Sequence, residues 1–175
     1  MSKRDDVLAA AEQLFYADGF HATSIDAVTA AARVTPRTLY HHFPSKEALV
    51  VAVLRARDAR FAEWIDTRVS AGDGPRHRAV LGALRDWMGR YGPRGCLFLR
   101  ALGERSSPES GVAAAVAEHK ARYREMVATA LGSTATSAQV DEFLMVLEGV
   151  VAAAPVLGTD AAFATAQALG DRIFG

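Results

Sequence analysis

The chain has 175 residues, a length typical of one domain or of a small module followed by a larger one. Half of the residues are apolar, enough for a sizeable core, and 20 basic side chains balance 20 acidic ones. The composition therefore points to no nucleic-acid, membrane or acidic partner, and any charge used in binding must be local. One cysteine, Cys96, excludes an internal disulfide and a multi-cysteine zinc site, which is typical of a reducing cytosol.

We expect no targeting segment and no membrane span. In the N-terminal stretch MSKRDDVLAAAEQLF the apolar residues are periodic and follow a pair of acids, unlike the continuous apolar region of a signal peptide. The longest apolar stretch, residues 149–158, is much shorter than a membrane-spanning helix. These features predict a cytoplasmic protein without a membrane partner. No motif in the sequence predicts a cofactor or a metal ion.

The periodicity of the apolar residues predicts an all-α chain of about nine helices. No run alternates with period two for long enough to be a strand. A first helix is expected from about Arg4 to Asp18, with Gly19 ending it. A long fourth helix is expected from a cap at Ser45 to about Val69. Further helices are expected at 75–91, 95–104, 109–131, 137–156 and 160–173.

Two short helices are expected between the first and the fourth. Thr23 is predicted to cap the second helix, with Asp26 completing a capping-box variant. Thr35 is predicted to cap the third helix, with Pro36 at its first position, where the missing N–H costs nothing. Pro44 should end that helix. Two short helices joined by so brief a turn predict a helix-turn-helix at about residues 24–43.

The composition of this segment favours DNA as its partner. In a helix-turn-helix the second helix enters the major groove, so it needs one apolar side and one side that carries hydrogen-bond donors. Leu39 and Phe43 supply the apolar side. Residues 27–46 contain three cations, two histidines and no acid, within a chain whose net charge is zero. This local excess of positive charge is typical of a DNA-binding surface.

The stretch ATSIDAVTAAARVTPRTLYHHFPSKEALVVAVL resembles the N-terminal module of the TetR-type (tetracycline-repressor-like) family of bacterial transcription regulators. The resemblance covers about residues 4–54 and is most specific at TLYHHF followed by SKE. It implies a DNA-binding domain at 3–62 and a ligand-binding and dimerisation domain at 63–175. It also implies a homodimeric, sequence-specific regulator of transcription, a repressor released from palindromic or near-palindromic operator DNA by a small hydrophobic or amphipathic effector.

The resemblance also implies which residues contact DNA. Two residues of the helix-turn-helix, Arg33 and Arg37, depart from the family pattern. Arg33 occupies a turn position where the family usually has Gly, so it must adopt a Gly-favouring conformation or the turn must differ. Arg37 stands where the family often has a small residue, and it is either a base reader or an ordinary solvated side chain. The implied DNA contacts are Thr23, Ser24, Thr35, Pro36, Arg37, Thr38, Tyr40, His41 and Lys46.

The remaining helices offer two further sets of candidate residues, each with a plainer alternative. An aromatic and Met-rich set in the middle helices is either core or the lining of an effector pocket. A stripe on the last two helices is either intramolecular core or a dimer interface, and we expect the interface. The pocket set is Phe61, Trp64, Leu84, Trp87, Met88, Tyr91, Phe98 and Tyr123, and the interface set is Phe143, Leu147, Val150, Ala154, Phe163 and Leu169.

The sequence leaves two alternatives to an effector-responsive regulator. One is a constitutive DNA binder without an effector. The other is a small cysteine-dependent enzyme using Cys96 with His77 or His119, but no motif places a base beside the thiol, and no catalytic residue is predicted. A redox-sensing Cys96 would need a lowered pKa, whereas a lone Cys in an apolar helix is more often inert.

Overall fold

The computed structural model describes residues 2–71, 74–92, 94–104, 107 and 109–175. Over these ranges the chain forms nine α-helices and no strand, which confirms the all-α prediction. No helix of the described ranges is long and apolar enough to span a lipid bilayer. The helices are α1 (Lys3–Asp18), α2 (Ile25–Ala32), α3 (Pro36–His42), α4 (Lys46–Ala71), α5 (Arg76–Tyr91), α6 (Leu97–Glu104), α7 (Gly111–Leu131), α8 (Ser137–Leu157) and α9 (Thr159–Phe174).

The helices fall into two compact units. The N-terminal unit comprises Met1–Asp58 together with Leu97–His119, and the C-terminal unit comprises Ala59–Cys96 together with Lys120–Gly175. The N-terminal unit therefore includes α6, which follows the helix-turn-helix by more than fifty positions in sequence. A functional boundary at residues 62/63 stays a prediction, because the compact units are defined by packing alone.

The core of the N-terminal unit begins with one face of α1. Val7, Ala11 and Phe15 lie at i, i+4 and i+8 and are fully buried. Gly19 ends α1 with φ 93°, a left-handed conformation that Gly adopts without a Cβ clash. The chain then reverses, and the ring of Phe20 stacks on that of Phe15 with centroids 4.8 Å apart. Helices α2 and α3 pack on this face, with Val28, Leu39 and Phe43 among the buried side chains.

The start of α2 corrects one predicted cap. Ser24, not Thr23, is the N-cap, and its hydroxyl oxygen accepts a hydrogen bond from the Ala27 N–H at 3.0 Å. Thr23 is buried, and its hydroxyl donates to the Gly19 carbonyl at 2.6 Å. The physical reason for the shift is that Thr23 faces the core and bonds to the preceding turn, which leaves the exposed Ser24 to cap the helix.

The predicted limits of α3 and the start of α4 are confirmed. The Thr35 hydroxyl oxygen accepts from the Thr38 N–H at 3.1 Å, and Pro36 is the first helical residue. Helix α3 ends at His42, one residue before an extended Phe43. The hydroxyl oxygen of Ser45 then caps α4 by accepting from the Ala48 N–H at 3.0 Å. Local capping chemistry thus fixes the starts of α3 and α4.

The core of the C-terminal unit contains five of the six residues predicted to form a dimer interface. Helix α9 packs against both α8 and α5 of the same chain. The apolar stripe of α8 and Phe163 of α9 are part of this chain's own core, which is the plainer of the two alternatives for these residues, and their role in a dimer stays a prediction. Only Leu169, with 38% of its surface exposed, stays outside this core. The five buried residues of the predicted interface, none more than 5% exposed, are Phe143, Leu147, Val150, Ala154 and Phe163.

An ion-pair network also joins α9 to α5. The guanidinium of Arg78 donates to both carboxylate oxygens of Asp171, at 2.9 and 2.8 Å, and His77 Nε2 lies 2.8 Å from Asp171 Oδ1. The hydrogen bonds from Arg78, and then from His77, lower the pKa of Asp171 to about 2. The His77 ring stacks on Phe174, with centroids 5.1 Å apart. The carboxylate is therefore ionised at neutral pH and fastens the last helix to α5.

Candidate nucleic-acid interface

The turn between α2 and α3 depends on one residue in the left-handed conformation. Arg33 has φ 53° and ψ 47°, and it is the one non-glycine residue with positive φ among those that the structure describes. Its N–H donates to the Ala30 carbonyl at 3.2 Å, and the Val34 N–H donates to the Thr29 carbonyl at 3.1 Å. These two bonds close the end of α2, as in other left-handed helix caps. The prediction that Arg33 adopts a Gly-favouring conformation is confirmed.

Helix α3 has one buried side and one exposed side. Leu39 is fully buried, whereas Arg37, Tyr40 and His41 are exposed, and Tyr40 has 48% of its surface accessible. Pro36 is exposed at the start of the helix. The fold therefore directs the guanidinium, the phenol and the imidazole of this face to solvent, where they can meet another molecule.

The hydroxyl groups predicted to contact DNA differ in their exposure and in the hydrogen bonds that they make within the chain. Thr35 and Thr38 share a hydrogen bond between their hydroxyl oxygens, 2.9 Å apart, at the exposed start of α3. Ser24 is exposed at the start of α2. The side chain of Thr23 faces inward, and its hydroxyl is bonded to Gly19. The structure thus presents Ser24, Thr35 and Thr38 near the surface and turns Thr23 toward the core.

Lys46 is the first residue of α4, and its ammonium group reaches back to the turn before α2. Its Nζ donates to the His21 carbonyl oxygen at 3.3 Å. An ammonium group carries three N–H donors, so this bond is compatible with a phosphate contact. The neighbouring acid, Glu47, accepts a hydrogen bond from the Gly111 N–H at 2.9 Å. The N-termini of α2 and α4, with Ser24 and Lys46, carry the positive partial charge that binds phosphate.

Two residues of α6 contact the same turn and were not found from the sequence. Glu104 Oε2 accepts from the His21 N–H at 2.7 Å, and Arg100 Nε donates to Glu104 Oε1 at 3.1 Å. Arg100 Nη1 also donates to the Tyr16 carbonyl at 3.0 Å, in the last turn of α1. The i, i+4 spacing of an Arg and a Glu is visible in the sequence, but it is common on solvated helices and gives no sign of a distant partner.

The predicted pocket residues do not all belong to the same compact unit. Seven of them lie in the C-terminal unit, where the ring of Phe61 contacts those of Trp87 and Tyr123, with centroids 5.0 and 5.4 Å away. Trp64 packs edge-on against Trp87 and donates from Nε1 to the Ala83 carbonyl at 2.9 Å. Phe98 belongs to the N-terminal unit. The aromatic set is thus a packed cluster plus one separate residue, and its role as an effector site stays a prediction.

Phe98 and Cys96 have different surroundings. The ring of Phe98 is stacked at 3.5 Å on His119, whose Nδ1 lies 2.6 Å from Asp58 Oδ1. The thiol of the half-buried Cys96 lies 3.9 Å from the Lys120 ammonium. His77 and His119, the two histidines considered as catalytic bases, each hydrogen-bond to an aspartate. The geometry brings a lysine, rather than an imidazole, to the thiol.

Known proteins with similar sequences match this chain mainly over its helix-turn-helix. Residues 7–53 match the family model described as bacterial regulatory proteins, tetR family. The regulator TcmR of Streptomyces glaucescens is 36% identical over 89 residues, or 47% of this chain and 39% of TcmR. UidR of Escherichia coli K12 is 42% identical over 67 residues, or 36% of this chain and 34% of UidR. The chain therefore spans well under two thirds of the length of either relative, and the similarity centres on the DNA-binding module.

Solved structures extend the likeness to nearly the whole fold. SCO4454, a TetR-family transcriptional regulator from Streptomyces coelicolor, is 28% identical and superposes with a TM-score of 0.85 over 98% of this chain and 95% of that one. The reduced form of E. coli NemR gives a TM-score of 0.82 at 21% identity, over 98% of this chain and 97% of that one. An N-terminal helix-turn-helix in an all-α chain is thus common to this protein and to the TetR-family regulator SCO4454. The match to the tetR family of bacterial regulatory proteins lies in residues 7–53, which contain the helix-turn-helix.

The strained turn leads to a testable prediction about stability. Arg33→Gly should raise the free energy of unfolding by roughly 0.5–1 kcal/mol, because relief of the left-handed strain outweighs the greater flexibility of Gly in the unfolded chain. The matched control is Ala30→Gly, an exposed position inside α2, which should lower that free energy by roughly 0.5–1 kcal/mol. Urea unfolding at equal protein concentration measures both. A lower stability for Arg33→Gly would mean that the arginine side chain makes a contact worth more than the strain.

Proposed function

We propose that this protein is a dimeric, sequence-specific DNA-binding regulator of transcription, a repressor that a small-molecule effector releases. The observation that carries the proposal is the exposed face of α3. Its Arg37, Tyr40 and His41 stand outward on a helix that buries its opposite side, within a segment of local positive charge. The match of residues 7–53 to the tetR family model supports the same assignment.

Within this proposal the exposed groups divide into base readers and phosphate contacts. Arg37 extends from the first turn of α3, the part of a recognition helix that faces base edges, and a guanidinium matches the two acceptors of guanine. Lys46 and Ser24 lie at helix N-termini, where charge and backbone N–H groups favour phosphate oxygens. The hydroxyl groups of Thr38 and Tyr40 suit phosphate or base contacts equally.

The two roles are separable by experiment. A duplex selected from a randomised pool serves as operator, and its affinity is titrated over a range of salt concentrations. Lys46→Ala should weaken binding to all sequences alike and flatten the log–log salt slope by about 1, because one phosphate contact is lost. Arg37→Ala should weaken binding by roughly 1–3 kcal/mol and relax the preference at one base pair.

The control for both variants is Arg172→Ala, which removes one positive charge from an exposed position of α9. This change should leave base preference and affinity for the selected duplex near the wild-type values. An unchanged base preference in Arg37→Ala across a substituted operator series would remove Arg37 as a reader. A wild-type protein that selects no duplex would refute the proposed function itself.

The proposed homodimer uses the outward side of α8. Met145, Gly149, Ala152 and Val156 follow one another at i, i+4, i+7 and i+11 and are all exposed, with Met145 and Val156 at 64% and 83%. This stripe is uncharged and lies on the opposite side of the helix from the buried residues. Exposed apolar side chains in such a row favour a partner surface, and the small residues allow close helix approach. Two copies would present two recognition helices to a palindromic operator.

Substitution on this stripe separates interface from core. Val156→Glu should produce monomers, because a two-fold axis brings the two new carboxylates toward each other at the interface. Light scattering measures the mass of the particle in solution. The control is Gln167→Glu, which adds the same charge at an exposed position of α9 outside this stripe. This variant should remain dimeric. Leu147→Glu, by contrast, buries a charge in the core and should lower the melting temperature. A full-strength dimer for Val156→Glu would place the interface elsewhere.

We assign the effector site to the C-terminal unit, on the support of its aromatic cluster, because small-molecule sites in helical proteins are mostly apolar. The experiment is a thermal-shift screen of small apolar and amphipathic compounds, followed by titration of each hit while the fluorescence of Trp64 and Trp87 is recorded. Linkage requires that operator DNA weaken the binding of a releasing effector by the same factor by which the effector weakens DNA binding. Equal effector affinity with and without operator would make the protein a constitutive DNA binder.

A further inference from the structure

We infer that Arg100 and Glu104 of α6 are positioning residues for DNA binding, which act by holding the turn Gly19–Ala22 and, through it, the two helix starts that meet phosphate. The inference rests on the proposed function, because it assigns a role in an interaction with DNA. Neither residue belongs to the helix-turn-helix, and neither is expected to touch the operator.

The carboxylate of Glu104 accepts hydrogen bonds from two backbone N–H groups of the turn. It accepts the His21 N–H at 2.7 Å and the Phe20 N–H, and Arg100 holds its other oxygen at 3.1 Å. Burial raises the pKa of Glu104, but the hydrogen bonds from His21, Arg100 and Phe20 outweigh burial and leave the pKa below its usual value. The group is therefore an ionised acceptor, and charge-assisted hydrogen bonds of this kind are stronger than neutral ones.

The turn leaves room for this carboxylate because residue 19 is a glycine. A Cβ at Gly19 would lie 2.8 Å from Glu104 Oε1, closer than such atoms approach, and 3.2 Å from Arg100 Nη2, which is a tight contact. Arg100 also donates to the Tyr16 carbonyl, in the last turn of α1. The pair thus binds both the last turn of α1 and the reversal that follows it, so the path of the chain into α2 is fixed from outside the helix-turn-helix.

The same turn is also hydrogen-bonded to the first residue of α4. The N–H of His21 donates to Glu104, and the His21 carbonyl accepts from Lys46 Nζ at 3.3 Å. On its other side the turn leads to Ser24, the N-cap of α2, and its Gly19 carbonyl accepts from the Thr23 hydroxyl. A displaced turn would therefore move Lys46 and Ser24 together. Bonds in such a chain also polarise and strengthen one another.

The sign of the effect separates positioning from simple charge. Removing a carboxylate from a DNA-binding protein should tighten DNA binding, because a repulsion from phosphate is lost. Positioning requires the opposite result for Glu104→Gln, since a glutamine side chain offers one acceptor oxygen in place of two and turns an NH₂ group toward existing donors. We expect Glu104→Gln to bind the selected duplex roughly tenfold more weakly. Glu142→Gln, the same change at an exposed position of α8, should bind as tightly as wild type or slightly tighter.

A double-mutant cycle with Lys46 tests the route of the effect. If Glu104 acts through the turn that holds Lys46 and leads to Ser24, Glu104→Gln should flatten the salt slope by about 1 and have a smaller effect in a Lys46→Ala background than in the wild type. Additive losses in the cycle would overturn the inference, because the two residues would then act independently. Circular dichroism and the melting temperature show that each variant is folded at the temperature of the titration.

Glu104→Asp tests the positioning role of Glu104 if Glu104→Gln does not fold. It keeps the charge and shortens the side chain by one methylene group, so it should weaken DNA binding with no change in net charge. Wild-type affinity in Glu104→Asp, or a Glu104→Gln protein that matches Glu142→Gln, would refute the positioning role. Failure of the wild-type chain to select any duplex would instead refute the proposed function, so the two failures are distinct.

Discussion

The orientation of α3 depends on the burial of two side chains, Leu39 and Phe43. A helix of seven residues is too short to be stable in water by itself, so its stability must come from packing. Both side chains are almost fully buried, and their i, i+4 spacing fixes the rotation of the helix about its axis. Because that rotation is fixed, Arg37 and Tyr40 are directed outward. The surface proposed to face DNA is thus a consequence of core packing on the other side of the same helix.

Local chemistry explains why the helix-turn-helix could be predicted closely from the sequence. The caps at Thr35 and Ser45, the stop at Gly19 and the strained Arg33 each depend on a few neighbouring residues. Where prediction failed locally, two adjacent residues had nearly equal chemistry. Thr23 and Ser24 can both cap a helix, and burial of Thr23 decides in favour of the serine.

Features that depend on distant parts of the chain could not be predicted in this way. Helical periodicity shows that Phe143 and Leu147 share a face, but it does not show whether the same chain or a second copy covers that face. Composition likewise grouped Phe98 with aromatic residues of the other compact unit. The contact of Glu104 with His21 joins residues 83 positions apart, and a charged pair on a short helix carries no signal of it. Such contacts become visible only once the chain is folded.

The glycine at position 19 has a consequence for how this chain can change in evolution. Gly19 and Glu104 share one small space, although roughly eighty positions of sequence separate them. A larger residue at 19 would meet the carboxylate as well as backbone strain, since φ there is 93°. The two positions therefore cannot vary independently while this packing is kept. Among relatives that keep it, glycine at the first position and a long acid at the second should be inherited as a pair.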